Sequence, residues 1–247
     1  MKPFLPVAAA LAGSLALSAC NKPAEADPAF GAKVRAYLLE HPEVIEEAVV
    51  KLREKQQQAA LSASRDAVQK HRAQIERDPR DVVINPAGTI TVTEFFDFNC
   101  GYCKVVAPEV VKLAQENPDV RLVLKQFAFQ TPYSIQAAKI ALTADAKTKA
   151  LPLYQQLLAQ KPLDGAAIDR SLLAVGLDPA AVRAAAEAPA ITQQMQDARE
   201  LAAQLQIDGT PAFIVGDQVI HGADVARLRA AIAAARAKDL QRPGSPT

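Results

Sequence analysis

Two cysteines separated by two residues are the part of this sequence best suited to chemistry. They are Cys100 and Cys103, in the stretch EFFDFNCGYCK, directly after an apolar run of β-forming residues. A tetrahedral metal site normally needs four ligands, and the histidines, His41, His71 and His221, show no ligand spacing around the pair. A structural disulfide across two residues would close almost no loop and would stabilise the fold little. The spacing therefore favours thiol-disulfide exchange, and no metal is expected.

The first residues of the chain predict export. Lys2 precedes the mostly apolar stretch Phe4–Leu17, which is shorter than the ~20 residues of a membrane-spanning helix, so residues 1–19 are interpreted as a signal peptide. The letters LSAC that end at Cys20 resemble the bacterial lipoprotein signal, which implies cleavage before Cys20 and lipid attachment to it. An ordinary secretory peptide with an incidental cysteine is the alternative. Asn21, in place of the Asp that usually retains such proteins in the inner membrane, favours the outer membrane.

Composition is consistent with an exported domain in the periplasm. The formal net charge is +1 and 22% of the residues are charged, so no nucleic-acid partner is expected. Residues 20–28 are polar and contain prolines, which predicts a short tether, and residues 239–247 predict a flexible tail. Because the export compartment is oxidising, the two remaining cysteines are expected to form and break disulfides.

A helical stalk is predicted before the catalytic domain, over residues 29–78. Phe30–Glu40 has apolar residues at helical spacing, and Pro42 followed by glutamates predicts the start of a long helix that would run to Arg77. Ile45, Val49 and Leu52 follow the spacing of a coiled-coil seam. A helix this polar outside one stripe has little reason to be stable alone, which favours self-association over packing on its own domain.

From residue 81 to residue 238 the pattern predicts an α/β thioredoxin fold with a helical insertion. The order is strand, helix, strand, helices, hairpin and helix, with the dicysteine at the first junction from strand to helix. The predicted elements are strands at Val82–Ile84 and Thr89–Phe98, a helix at Cys100–Glu116, a strand at Val120–Phe127, helices over about 131–205, a hairpin of Ala212–Val215 with Gln218–His221, and a helix at Asp224–Lys238.

The position of Cys100 at a helix N-terminus predicts a reactive thiolate. Unpaired N–H groups and the helix dipole favour an anion there, and lowering a thiol pKa from ~8.5 to about 5 makes the thiolate dominant at neutral pH. Cys100 would then attack a disulfide of a partner. Cys103, one turn later and facing inward, would resolve the mixed disulfide. No cofactor is needed for this exchange.

The segments FFDFNCGYCK and GTPAF resemble the active-site segment and the facing loop of the thioredoxin-like Dsb family. The resemblance implies a cis peptide bond before Pro211, with Thr210 preceding it and both lying against the dicysteine. It also implies that Glu94 is buried beneath Cys103 and exchanges a proton with it; a solvated glutamate at the strand end is the alternative. The sequence leaves open whether Lys125, on the next strand, approaches Glu94.

Two features resemble different branches of that family. Gly101-Tyr102 replaces the Pro-His of the strong DsbA-type oxidases and, with Thr210 before the proline, resembles the DsbC-type isomerases. The letters YLLEHPEVIEEAVVKLREKQ resemble the N-terminal oligomerisation segment of the ScsC-type proteins. This resemblance implies a homo-oligomer, with a trimer favoured over a dimer, assembled through Phe30 to about Leu61.

The sequence therefore favours a lipid-anchored disulfide isomerase or reductase that acts on exported proteins with thiols or disulfides. The main alternative is a DsbA-type dithiol oxidase, which a membrane redox partner linked to quinone would re-oxidise. The second is a binding module in which Cys100 and Cys103 are soft ligands for Cu(I); the absence of a Met- or His-rich stretch speaks against it. The redox state of the pair in cells separates the oxidase from the other two.

Overall fold

The computed structural model describes residues 27–241 and groups them into two compact units that divide between Gln56 and Gln57. Several predicted segments fall wholly or largely outside that range: the signal peptide 1–19, the lipidation site Cys20, the tether 20–28 and residues 242–247 of the tail. Among the described residues, none of the helices combines the length and apolar character that crossing a bilayer requires.

The first unit contains α1, Pro28–Glu40, and the first half of α2, Glu43–Lys70. The carboxylate of Asp27 caps α1 by accepting from the N–H of Ala29 at 3.0 Å, with proline at the first helical position. Acidic residues in the first turn of α2 favour its start through the helix dipole. The helix predicted at Phe30–Glu40 is confirmed.

The long helix predicted from Pro42 to Arg77 is interrupted at His71. After α2 ends at Lys70, a short helix α3, Arg72–Glu76, continues the chain. The interruption turns Ile75 towards the sheet, where its carbonyl accepts from Oγ1 of Thr93 at 3.2 Å. Residues from Gln57 onward belong to the second unit, so the predicted stalk boundary at residue 78 was about twenty residues too late.

The second unit is built on a five-stranded sheet with the order β1-β3-β2-β4-β5. The strands are β1 Val82–Ile84, β2 Ile90–Phe96, β3 Val120–Gln126, β4 Ala212–Val215 and β5 Gln218–His221. The neighbours β2 and β3 are parallel, and the other pairs are antiparallel. β1 and β2 are consecutive in sequence but are separated by β3, so the turn between them does not form a hairpin. The β4–β5 hairpin has the predicted bounds.

The two faces of the sheet carry separate apolar clusters. On one face Val92 and Phe96 of β2 belong to the larger cluster, with α4, Gly101–Glu116, and α11, Val225–Leu240. On the other face Phe95 packs in a second cluster that includes Val68 and Ile75. This alternation follows from the two-residue period of a strand, and it decides which residues of β2 face the dicysteine.

Between β3 and β4 the chain is helical, as predicted for about 131–205. The helices are α5 Pro132–Ala141, α6 Ala144–Lys147, α7 Ala150–Ala159, α8 Gly165–Ala174, α9 Pro179–Ala186 and α10 Pro189–Gln204. Thr131 starts the insert with a capping box, in which its hydroxyl and that of Ser134 exchange hydrogen bonds with each other's backbone N–H. The final helix α11 ends at Leu240, two residues beyond the predicted Lys238.

Ile75→Ala tests whether the end of the predicted stalk belongs to the catalytic unit. Ile75 is fully buried, so truncation should lower the free energy of unfolding by about 2–5 kcal/mol. The matched control is Leu173→Ala, at an exposed position of α8, which should change it by less than about 0.5 kcal/mol. Chemical denaturation measures both; equal effects would contradict the assignment of α3 to the core.

Candidate active site

The turn between β2 and α4 places the two cysteines at the start of a helix. Cys100 is the N-cap residue of α4, with an extended backbone, and Cys103 lies in its first turn. Both are free thiols, and Cys100 exposes 3% of its surface whereas Cys103 exposes none. The N-terminus of α4 thus points its unpaired N–H groups at Cys100.

This arrangement separates the acidities of the two thiols. The pKa of Cys100 falls to about 5 because the thiol of Cys103 donates to its thiolate, with further hydrogen bonds from Thr210 and from the N–H groups of Cys103 and Tyr102; burial opposes the shift. The pKa of Cys103 rises far above its usual value, because its proton is held by that hydrogen bond, because it is buried, and because Glu94 is nearby. The thiolate form therefore dominates at Cys100 at neutral pH, whereas Cys103 keeps its proton.

The loop before β4 faces Cys100. The peptide bond between Thr210 and Pro211 is cis, as the family resemblance implied. The carbonyl oxygen of Thr210 lies 3.2 Å from Sγ of Cys100. The side chain of Thr210 lowers the pKa of Cys100, and among residues 27–241 its buried hydroxyl has no other hydrogen-bond partner.

Glu94 is buried inside the larger cluster rather than solvated at the strand end. It exposes none of its surface, and burial, followed by the nearby charge of Cys100, raises its pKa to about 8. The hydroxyl of Tyr154 donates to both carboxylate oxygens, at 3.1 Å and 3.0 Å, and opposes that rise. The predicted burial is confirmed. The sequence did not predict the contact with Tyr154, because Tyr154 lies 60 residues away on α7.

Lys125 does not approach Glu94. The parallel register pairs Glu94 with Leu124 and Phe95 with Lys125, so Lys125 lies on the opposite face of the sheet. There its Nζ is 2.6 Å from the carboxylate of Asp81 and donates to the carbonyl of Gln74. A shift of one residue along a strand changes the face on which a side chain lies, and the sequence did not fix that register.

Asp97 is a second buried carboxylate that sequence reasoning missed. It accepts from the N–H of Asn99 at 2.7 Å, which shapes the turn before Cys100. It also accepts from the N–H groups of Phe129 and Gln130, at 2.9 and 3.1 Å, and from the hydroxyl of Ser134 at 3.0 Å. The sequence did offer one indication of its burial, a single acidic residue within the otherwise apolar segment FFDF. Asp97 ties the cysteine turn to the loop after β3.

A shallow apolar depression opens beside Cys100. Its lining includes Tyr102, Val105 and Phe129, which are 70%, 71% and 47% exposed, and the backbone of Gly209 and Thr210. Large apolar side chains exposed together are typical of a surface that binds other molecules. Cys100 lies in the lining of this depression.

The fold and the dithiol geometry agree with a comparison against known families. Residues 91–233 match the family described as DSBA-like thioredoxin domain. The chain belongs to this DSBA-like family. The matched residues include both cysteines, Glu94 and Pro211. Residues 28–59 match a second family, the copper resistance protein ScsC N-terminal domain, over α1 and the first part of α2.

Individual relatives support the same family. The thiol:disulfide interchange protein DsbA of Bordetella pertussis is 31% identical over 139 residues, which cover 52% of this chain and 64% of that protein, just under two thirds of its length. The crystal structure of Proteus mirabilis ScsC in a transitional conformation is similar with a TM-score of 0.62 and 26% identity, covering 86% of this chain and 99% of that one. A thioredoxin-like oxidoreductase of Silicibacter pomeroyi has a TM-score of 0.63 and 33% identity, covering 67% and 98%.

The burial of Glu94 predicts a pH dependence of stability. A folded-state pKa of about 8, against 4.5 in the unfolded chain, means that stability is highest below pH ~4.5 and falls as pH rises to about 8, by up to roughly 5 kcal/mol. Glu94→Gln should remove this loss. The measurement is the free energy of unfolding from pH 4 to about pH 9 in the oxidised protein, where neither cysteine titrates.

Glu116→Gln is the matched control, since Glu116 is exposed at the end of α4. It should leave the pH dependence of unfolding unchanged. Parallel curves for wild type and Glu94→Gln would show that Glu94 has the same pKa in the folded and the unfolded protein, contrary to its raised pKa.

Proposed function

We propose that this protein is a thiol-disulfide oxidoreductase that acts on thiols and disulfides of exported proteins. The observation that supports this most directly is the pair of unlike thiols at the start of α4, with the pKa of Cys100 near 5 and that of Cys103 far higher. A thiolate beside a protonated resolving thiol is the arrangement that exchange requires. The name of the Bordetella relative, thiol:disulfide interchange protein, agrees with it.

The exchange proceeds in two steps, in which atoms and electrons are conserved. The Cys100 thiolate attacks a substrate disulfide, forms a mixed disulfide and releases one substrate thiolate. Cys103 then attacks Sγ of Cys100, which forms the Cys100–Cys103 disulfide and releases the second thiolate; the substrate gains the two electrons that the dithiol loses. Glu94, buried beside Cys103 and titrating near neutral pH, takes the Cys103 proton in this step and returns it in the reverse direction.

The substrate side of the exchange uses the depression beside Cys100. Tyr102, Val105 and Phe129 offer apolar contacts without deep pockets, which suits unfolded segments of many sequences. The backbone of Gly209 and Thr210 lies at the edge of the same depression and offers hydrogen bonds to an extended chain. The surface therefore fits unfolded exported proteins better than one folded partner.

Isomerase or reductase activity is the finer part of the proposal. Support comes from the dipeptide Gly101-Tyr102 and from the match of residues 28–59 to the ScsC N-terminal domain. The DsbA-type oxidase remains the alternative, favoured by the 31% identity to the Bordetella DsbA. Cu(I) binding by Cys100 and Cys103 is a second alternative, favoured by the copper resistance named in that N-terminal family and by the affinity of thiolates for soft metals.

Self-association through α1 and α2 would favour isomerase activity over the oxidase alternative. Large apolar side chains are exposed along both helices, and such side chains are typical of interfaces. They are Phe30, Val34, Tyr37 and Leu39 on α1 and Ile45, Val49, Val50, Leu52 and Leu61 on α2. A homo-oligomer, with a trimer favoured over a dimer, would hold several active sites around one misfolded substrate at high effective concentration.

The proposed location is the periplasm, with Cys20 lipidated and the chain anchored to the outer membrane. This proposed location rests on the predicted export signal and on the oxidising compartment that a dithiol enzyme of this type uses. A membrane redox partner would set the redox state of the pair. Labelled palmitate should enter the wild-type chain and not Cys20→Ala; equal labelling, or none, would refute the anchor.

Cys103→Ser should trap Cys100 in mixed disulfides with exported proteins, because the resolving thiol is absent. Cys100→Ser should trap none, since the buried Cys103 keeps its proton. Non-reducing gels of cells that express each variant measure the adducts, which dithiothreitol should release. Adducts that depend on Cys103 instead of Cys100 would reverse the assigned roles.

Removal of residues 30–56, the part of the first unit that carries the exposed apolar residues, should give a monomer. The monomer should still oxidise the thiols of a reduced peptide. It should lose most of its ability to reactivate scrambled ribonuclease, because a single active site does not hold the substrate for repeated attack. Ile45→Ser/Val49→Ser/Leu52→Ser in the full chain should reproduce both effects without shortening it. Light scattering gives the mass; a monomeric wild type, or a monomeric variant with full isomerase activity, would contradict the proposal.

A further inference from the structure

The hydroxyl of Tyr154 makes an unusual contact with the buried acid of the site. It lies 3.1 Å from Oε1 and 3.0 Å from Oε2 of Glu94, so one donor spans both carboxylate oxygens. Both residues are buried. Among residues 27–241 no other side chain donates a hydrogen bond to this carboxyl. Tyr154 comes from α7 of the helical insert, whereas Glu94 lies on the sheet.

The ring of Tyr154 is held in place by two aromatic neighbours. The ring centroid of Phe96 is 5.2 Å away and that of Phe98 is 6.5 Å away, both tilted by 60°. These residues flank Asp97 in the segment that leads to Cys100. The packing fixes the direction of the hydroxyl, so its contact with Glu94 does not depend on a mobile side chain.

Among the described residues 27–241, no cationic side chain acts on the pKa of Glu94. The titratable groups that face it are Tyr154 from α7 and Cys100 and Cys103 from α4. Its neighbours across the sheet are Leu124 on β3 and Phe213 on β4, which are apolar. Lys125 lies on the opposite face, paired with Asp81.

We infer that Tyr154 is a positioning residue, which holds the Glu94 carboxylate ready to accept the proton of Cys103. The inference rests on the proposed role of Glu94 in the exchange. A hydrogen bond to a carboxylate is stronger than one to a neutral carboxylic acid, so the hydroxyl favours the ionised form. Without it, burial would act on the acid with no opposing hydrogen bond, and the pKa of Glu94 would rise further above about 8.

The affected step is the release of the second substrate thiol. Cys103 gives its proton to the Glu94 carboxylate as its sulfur attacks Sγ of Cys100 in the mixed disulfide. The Cys100–Cys103 bond forms, the bond from Cys100 to the substrate sulfur breaks, and the electron pair leaves with the substrate thiolate. The step requires ionised Glu94, so its rate follows the ionised fraction.

Tyr154→Phe removes the hydroxyl and keeps the ring. With oxidised glutathione as probe, acid quenching and mass spectrometry follow the decay of the Cys100–glutathione adduct from pH 6 to about pH 10. We expect the inflection of this rate to move up by about one pH unit, which slows resolution about tenfold at neutral pH, while the rate at high pH stays near that of wild type. Tyr133→Phe, at an exposed tyrosine of α5, is the matched control and should leave the profile unchanged.

The Glu94→Gln background separates this inference from the proposed function. If Glu94→Gln abolishes the inflection and adding Tyr154→Phe changes nothing more, both stand. If Glu94→Gln abolishes it but Tyr154→Phe alone leaves the profile in place, or slows resolution equally at every pH, the inference is overturned and the role of Glu94 survives. If Glu94→Gln leaves the profile unchanged, both fail.

A second measurement uses the wild-type protein, with Glu94→Gln only as a comparison. The ring-carbon NMR signal of Tyr154 should shift with pH at the same inflection as the carboxyl carbon of Glu94, because the hydroxyl bonds the group that titrates. The shift should vanish in Glu94→Gln. A Tyr154 signal that stays constant through the titration of Glu94 would overturn the inference.

Discussion

A thiolate held in an almost fully buried position is the constraint on which the site depends. Cys100 exposes only 3% of its surface, and its charge is stabilised by neutral donors: the thiol of Cys103, the N–H groups at the start of α4, and Thr210. Such donors act only when they are oriented in advance, because the low-polarity surroundings offer no water to replace them. The turn after β2, the helix N-terminus and the loop that contains the cis proline are each needed to fix one of them.

The rest of the second unit supports that orientation from two sides. The carboxylate of Asp97 accepts hydrogen bonds from the cysteine turn and from the loop after β3. One side chain therefore positions both Cys100 and the apolar depression. Tyr154 extends the site into the helical insert, which a bare thioredoxin fold would lack. The insert therefore contributes to the chemistry of Glu94 as well as to the bulk of the core.

Local signals predicted the parts of the structure that short stretches determine. The two-residue cysteine spacing after a β-forming run placed Cys100 at a helix N-terminus, and the strand pattern gave the bounds of the last hairpin. Non-local packing decided the rest. The partners Tyr154 and Asp97, the face on which Lys125 lies and the position of β1 beside β3 all depend on how distant segments meet, which no periodicity encodes. The interruption at His71 similarly follows from the burial of Ile75 on the sheet.

The charge state of Cys100 is the most direct test of this account. In the reduced wild-type protein, the rate at which Cys100 is alkylated by iodoacetamide should follow its thiolate fraction, with peptide mass spectrometry separating it from Cys103. The account predicts an inflection near pH 5 and no alkylation of Cys103 over the same range. An inflection at the ordinary thiol value of about 8.5, or equal alkylation of both cysteines, would show that the N-terminus of α4 and its neighbours do not stabilise the thiolate.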